Sequence, residues 1–390
     1  MPTIISRYIF REIAVPFLLS LTILTVTALL SKVIKLIELM VTHGIGASFI
    51  FWFIVSVIPS FLIYTIPISF LIGTLVAFTR LSSDSEITAM KASGLSLFSI
   101  MRPVLFLALL AYLASISVTL YLFPWGNASV KKLLFEAAKS KLVSGIEEKT
   151  FYDRFKGVVL YVDHLIPKTG EMEGIFISQG GAGGGESNIF FAQRGVFSPS
   201  TEEFTVYLKL DNGTIHRKTE NNGAYHIAEF SSYILELGFT GDGPANISDK
   251  PNRELYLNEL RDRIELIAIK GEDTAPYKID LHKRFALPAS IFVFALLGVP
   301  LGIQKIRAAR FTGFSVALGV VLIYYVVSTA FEALGENGVI DPILSVWSSN
   351  IIFLIAGAYI FSKAAKDSPI DILSWVDRVS PKVVRKKKQK

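Results

Sequence analysis

The chain has 390 residues, 51% of them hydrophobic, and no cysteine. That is too apolar for an ordinary soluble protein of this length, and it leaves neither a disulfide framework nor a thiolate metal site. The formal charge of +6 is uneven, since residues 124–282 hold 18 basic and 23 acidic side chains and the remainder carries +11. A basic tail beside an apolar segment is a lipid-surface or topology signal, so nucleic acid is not expected as a partner.

Runs free of Asp, Glu, Lys, Arg and His extend over Ile13–Ser31, Gly44–Thr79, Pro103–Val130, Phe285–Gln304, Phe311–Phe331 and Pro342–Ser362. Each reaches the roughly 17–25 residues that a helix needs to cross a hydrocarbon core. The first run lacks a small-residue cleavage site and reads as a retained anchor. The second, of 36 residues, is too short for two spans and a turn, so one long helix bent at Pro59 or Pro67 is expected. Six transmembrane helices result. Arg7 and Arg11, then Arg80, Lys91 and Arg102, then Lys305, Arg307 and Arg310, and finally the tail to Lys390 place both termini on the cytoplasmic side. Glu332, Glu336 and Asp341 lie in a short outer loop without Lys or Arg.

The expected organisation is residues 1–130 for the first three spans, with a cytoplasmic helix near 83–94, and 131–282 for an extracytoplasmic domain. Residues 283–366 hold the last three spans and 367–390 a basic tail. Lys131 to Ser144 has helical spacing and leads into the outer domain. Beyond it GVVLYVDHL, GIFISQ, NIFFAQRGVF, EFTVYLKLDNGTIHR and AYHIAEFSSYILEL are strand-like. Asp211-Asn212-Gly213 reads as a hairpin turn. Gly180–Gly185 is a loop without the Lys-Ser/Thr of a phosphate-binding motif. An all-β unit of this kind is most simply a sandwich or jellyroll. Residues 252–270 return to helical spacing, with Leu255, Leu257, Leu260, Ile264 and Ile267 on one side, and lead through His282-Lys283-Arg284 into the fourth span.

No catalytic constellation stands out. The histidines at 43, 164, 216, 226 and 282 have no metal-ligand spacing, and there is no nucleophile elbow and no Walker A sequence. No cofactor is expected, and energy for any work across the membrane must come from a partner. In the loop RLSSDSEITAMKASGLS, Ser83 and Glu86 have capping-box spacing for a short helix ending near Gly94. Glu86 then either caps that helix or, with Asp84, Ile87 and Met90, presents a carboxylate and an apolar face to a groove on a cytosolic subunit. Lys32 and Lys35, three apart at the outer end of the first span, either snorkel to the interface or face a cavity and bind anionic head groups.

RYIFREIAVPFLLSLTIL, RLSSDSEITAMKASGLS, HKRFALPASIFVFALLGVPLGI and ENGVIDPILSVWSSNIIF, taken together and in this order, resemble the LptF/LptG permeases of bacterial lipopolysaccharide export, with the loop wording nearer the LptF side. The resemblance implies a non-enzymatic six-helix inner-membrane subunit with a periplasmic β-jellyroll. Its implied partners are a sister permease (LptG-like), a cytosolic ATPase dimer (LptB-like), an LptC-like bitopic protein, an LptA-like periplasmic bridge and lipopolysaccharide. It also implies that Glu86 meets an arginine of the ATPase and that Lys32 and Lys35 meet lipopolysaccharide phosphates. The alternatives are an ABC exporter subunit for lipoprotein or drug, whose outer domain should follow the first span, and a membrane enzyme acting on envelope lipids, for which no reactive group is apparent.

Overall fold

The computed structural model describes residues 3–43, 47–142, 148–155, 157–166, 170–180, 187–200, 205–218, 225–237, 251–303 and 312–366. The glycine loop beyond Gly180, the cations Lys305, Arg307 and Arg310, and the tail from 367 onward lie outside them. Two compact units are present. Met1–Thr42, Ile54–Gly126 and Asn252–Lys390 form the first, and His43–Phe53 with Asn127–Pro251 the second.

The helical elements are α1 (Thr3–His43), α2 (Ala47–Ser83), α3 (Glu86–Ala92), α4 (Leu97–Ser117), a π turn (Val118–Leu122), α5 (Phe123–Leu142), a 3₁₀ turn (Asn252–Glu254), α6 (Leu257–Ile269), α7 (Ala275–Ile303), α8 (Thr312–Glu336) and α9 (Pro342–Ala365). Among the described residues 6 helical segments are long and apolar enough to cross a membrane, with α4, the π turn and most of α5 making one of them. The second apolar run is one helix, α2, with Pro59 and Pro67 both inside it. Its own backbone bonds satisfy most of its polar groups, as a hydrocarbon surround requires.

The first unit is organised around α7, which buries Ile291, Phe294, Ala295 and Val299 completely. Its close approach to α2 depends on two glycines one turn apart. A Cβ on Gly302 would lie 2.6 Å from Phe78 Cβ, and one on Gly298 2.9 Å from Thr74 Cγ2. Small residues at such a seam let two backbones pack where no hydrophobic effect drives helices together. Polar side chains add to it. The Tyr324 hydroxyl of α8 donates to Asn350 Oδ1 of α9 (2.8 Å), and Asn350 Nδ2 donates to the Ala286 carbonyl of α7 (2.8 Å). The outward side chains of α1, among them Leu18, Leu19, Ile23 and Leu30, are more than half exposed on the isolated chain, which suits lipid or a protein neighbour rather than water.

The second unit holds β1 (Phe151–Phe155), β2 (Val158–Ile166), β3 (Glu171–Gln179), β4 (Ser187–Ser200), β5 (Thr205–Lys218) and β6 (Tyr225–Leu237). They form one antiparallel sheet in the order β1-β2-β3-β4-β5-β6. The all-β expectation is met, but among the described residues this is a sequential meander without the crossing that defines a jellyroll, which is therefore not confirmed. One face is buried and is lined by Leu160, Val162, Ile175, Ile177, Phe190, Leu208, Leu210 and Leu235, with Phe135 of α5 packed among them.

A crease runs across this sheet. Pairing passes over Asp163, Gly174, Gln193, Asn212 and Ser231, which lie side by side on five successive strands. On either side of that line the alternation of buried residues slips by one, from Met172 to Ile175 in β3 and from Ala192 to Gly195 in β4. All five strands slip together, so their mutual register is kept. Gly174 and Asn212 hold positive φ angles of 64° and 52° on the line, which is what a glycine and an asparagine tolerate best. Asp211-Asn212-Gly213 is thus not a hairpin; it lies inside β5, paired on both sides. Gly213 is there because a Cβ would lie 2.2 Å from the Phe191 carbonyl oxygen.

Candidate functional site

Three elements meet around the loop singled out in the sequence. α2 ends at Ser83, Asp84 and Ser85 turn the chain, and α3 starts at Glu86. The expected capping box is absent, because Ser83 is still the last helical residue of α2 and the N-cap position falls to Ser85, at φ 61° and with no side-chain cap bond. Glu86 instead accepts a hydrogen bond from the Tyr8 hydroxyl of α1 on Oε2, at 2.7 Å. One turn further along α1, Glu12 receives both bonds of a fork from Arg80 Nη1, at 2.9 and 3.0 Å. Arg80 Nε also lies 3.6 Å from Asp84. α3 stops as expected: Gly94 takes φ 88°, and the Leu95 N–H closes back on the Met90 carbonyl, a glycine-terminated helix end.

The apolar residues of α3 face inward. Ile87 is buried in the core of the first unit, and Met90 packs against that core. They attach α3 to its own bundle, which departs from the expectation that they form a free apolar face for another subunit. What α3 leaves exposed is Thr88, Ala89 and Ala92, with Asp84 exposed just ahead of it and Glu86 half-buried at its start.

Lys32 is exposed on α1, and Lys35 follows three residues later on the same helix, its side chain outside the described residues. Tyr8, Glu12, Lys32 and Lys35 thus stand on one unbroken helix of 41 residues, about 60 Å long at 1.5 Å per residue.

A second polar cluster, which sequence reasoning passed over, gathers where α6 and the 3₁₀ turn lead into α7. Arg284, only 5% exposed, donates from Nη2 to the carbonyls of Asn252 (2.9 Å) and Leu255 (2.7 Å). Asn252 donates to Asp280, and Thr119 in the π turn donates to the Arg284 carbonyl. Lys283 pairs with Glu332 at 2.8 Å. Glu332 is therefore inside α8, not in the outer loop where its charge suggested it, because the helix runs on past the apolar stretch to Glu336. The only advance signal was the Lys283-Arg284 pair at the mouth of an apolar run.

Residues 7–363 match the family described as Lipopolysaccharide export system permease LptF/LptG. The chain is 23% identical over 353 residues to the lipopolysaccharide export system permease protein LptF of Escherichia coli (strain K12), covering 90% of this chain and 92% of that protein. The same figures hold for LptF of Shigella flexneri. An uncharacterised protein of Rickettsia prowazekii (strain Madrid E) is 23% identical over 366 residues, covering 91% of this chain and 97% of that one. The family match spans both arms of the site, from the first helix carrying Tyr8 and Glu12 to the last span, and the chain belongs to the LptF/LptG family of lipopolysaccharide export permeases.

Proposed function

We propose that this chain is the LptF-type permease subunit of an ABC transporter that draws lipopolysaccharide out of the inner membrane and passes it to a periplasmic bridge. The observation that supports this reading is the family match over residues 7–363, on a chain whose six spans are split three and three around a β-rich unit. On this reading both termini and α3 are cytoplasmic, and the sheet is periplasmic. The chain itself is a non-catalytic membrane subunit, and ATP hydrolysis belongs to a cytosolic ATPase dimer. A sister permease completes the membrane part, while an LptC-like bitopic protein and an LptA-like bridge receive the lipid.

In this proposal α3 is the coupling element. Glu86 has one carboxylate oxygen engaged by Tyr8 and offers the other to an arginine of the ATPase, with Asp84 adding negative charge beside it. Ile87 and Met90 hold the helix to the bundle so that its exposed face keeps a fixed attitude. At the other end of α1, Lys32 and Lys35 meet the phosphates of the lipopolysaccharide head group, which attract ammonium groups strongly where little water screens them.

The test is co-expression with a sister permease and an ATPase subunit, followed by reconstitution with lipopolysaccharide. A stable complex that releases lipopolysaccharide to an acceptor only with ATP is expected. Glu86→Gln should lower both recovery of the ATPase and release, because a charge-assisted bond worth about 1.5–3 kcal/mol is replaced by a neutral one. Photo-crosslinkers at residues 32 and 35 should capture lipopolysaccharide. No complex, or release that is independent of ATP, contradicts the proposal.

A further inference from the structure

We infer that Tyr8 is a positioning residue for the coupling element, tying Glu86 of α3 to the first transmembrane helix so that displacement of α3 is carried into α1. The inference deepens the proposed function and rests on α3 being where the ATPase acts.

The geometry on which it stands is a joint with two points of attachment. Tyr8 and Glu12 are four residues apart on α1 and so lie on one face, a single turn from each other. Tyr8 grips the start of α3 through Glu86 Oε2 at 2.7 Å. Glu12 grips the end of α2 through the two-bond fork from Arg80. The Arg80 guanidinium also reaches Asp84 in the two-residue turn between those helices. The loop that would receive force from another subunit is thus fastened on both sides to the same turn of α1. The ring of Tyr8 packs against the helical core together with Met90 of α3, so the hydroxyl is held in place while its partner carboxylate stays half-exposed.

The bond also restrains the Glu86 carboxylate. Tyr8 donates to Oε2, which restrains the rotation of the carboxylate. A hydrogen bond to a charged acceptor biases such an orientation by roughly tenfold or more. Without the hydroxyl, Glu86 can still meet a cation, but the cation is no longer linked to α1.

The experiment uses the complete transporter in lipopolysaccharide-containing vesicles, with Tyr8→Phe, Glu86→Gln and the double variant. It reads three quantities: ATPase subunit retained, ATP hydrolysed, and lipopolysaccharide released per ATP. Tyr8→Phe keeps the ring and should still form complexes that hydrolyse ATP, while release per ATP falls about tenfold if the full orientational bias is lost. The double variant should be little worse than Glu86→Gln alone, since Tyr8 acts only through the side chain at residue 86, whose bond to the ATPase Gln has already weakened. Normal release per ATP in Tyr8→Phe, with Glu86→Gln impaired, overturns the inference and leaves the proposed function standing. So does a Tyr8→Phe that only lowers the yield of complex at an unchanged ratio, which is the mark of a purely structural role. A Tyr8→Phe that binds the ATPase more tightly and transports faster also overturns it, because the hydroxyl would then be a competitor. Normal behaviour of both single variants removes the coupling role of α3 and the tie with it.

Discussion

At the scale of single residues, the polar contacts that matter are long-range, and their consequences can be separated from simple packing. Lys283 and Glu332 form a mostly enclosed ion pair on α7 and α8. Removing one partner strands the other charge, at a cost of about 3–5 kcal/mol, whereas removing both together costs far less. Lys283→Met should therefore lower the thermal unfolding temperature in detergent more than the Lys283→Met, Glu332→Leu double variant does. A double variant that falls further than the single one contradicts this. Gly302→Ala adds a Cβ 2.6 Å from Phe78 and should cost roughly 1–3 kcal/mol by overpacking. Gly319→Ala, inside α8 with nothing within 4 Å, is the control and should unfold no more easily than the parent. The sequence made Glu86 conspicuous, since a carboxylate on a short helix between two spans is easy to see. It concealed Tyr8, because an aromatic residue in an apolar helix looks like any other core side chain until its partner, 78 residues away, is placed. Arg80 was visible only as a topology charge for the same reason.

At the scale of elements, helices were easier to foresee than the sheet's geometry. A run of apolar residues long enough to span a membrane needs only its own backbone bonds, so its length decides the outcome. Strand content was equally readable, from Val, Ile, Phe and Tyr between turn residues. The meander and its crease were not, because Asn-Gly carries the same positive-φ tolerance whether it turns a hairpin or bends a strand; which it does is decided by the neighbouring strands. Phase is the sharp test of the crease. Deleting Gly174 would make β3 one residue shorter than the β2 and β4 segments it pairs with, so to stay in register one flank of the strand would be forced to point Glu171 or Phe176 inward instead of Met172 or Ile175. The deletion should abolish folding of the β-rich unit, read as protease sensitivity of residues 151–237 in membranes. Gly174→Asn keeps the count and tolerates positive φ, though its Cβ would press on Asp163 at 2.8 Å; it should retain the folded sheet with reduced stability. Equal protease resistance of the deletion and the parent would show that the slip is not required.

At the scale of the whole molecule, the absence of cysteine makes sidedness directly measurable. Ser93→Cys, exposed just after α3, and Thr150→Cys, exposed beside β1, should react with a membrane-impermeant maleimide from opposite sides of the membrane, Thr150→Cys from outside and Ser93→Cys only after the cytoplasmic face is opened. Labelling from the same side would contradict the orientation proposed from the Lys and Arg distribution. The purified chain alone should not hydrolyse ATP, and measurable turnover would contradict its role as a passive membrane subunit. One feature of α1 has mechanical meaning for the whole. Pro16 lies inside the helix and has no N–H to give the carbonyl of Glu12, so the helix is weakest just beyond the two attachments. α1 is thereby divided into a handle, Thr3–Val15, and a shaft that carries Lys32. From Pro16 to Lys32 is about 24 Å of helix at 1.5 Å per residue. A handle turned about that pivot swings the shaft like an oar, and each degree of tilt carries the position of Lys32 sideways by about 0.4 Å on that lever arm.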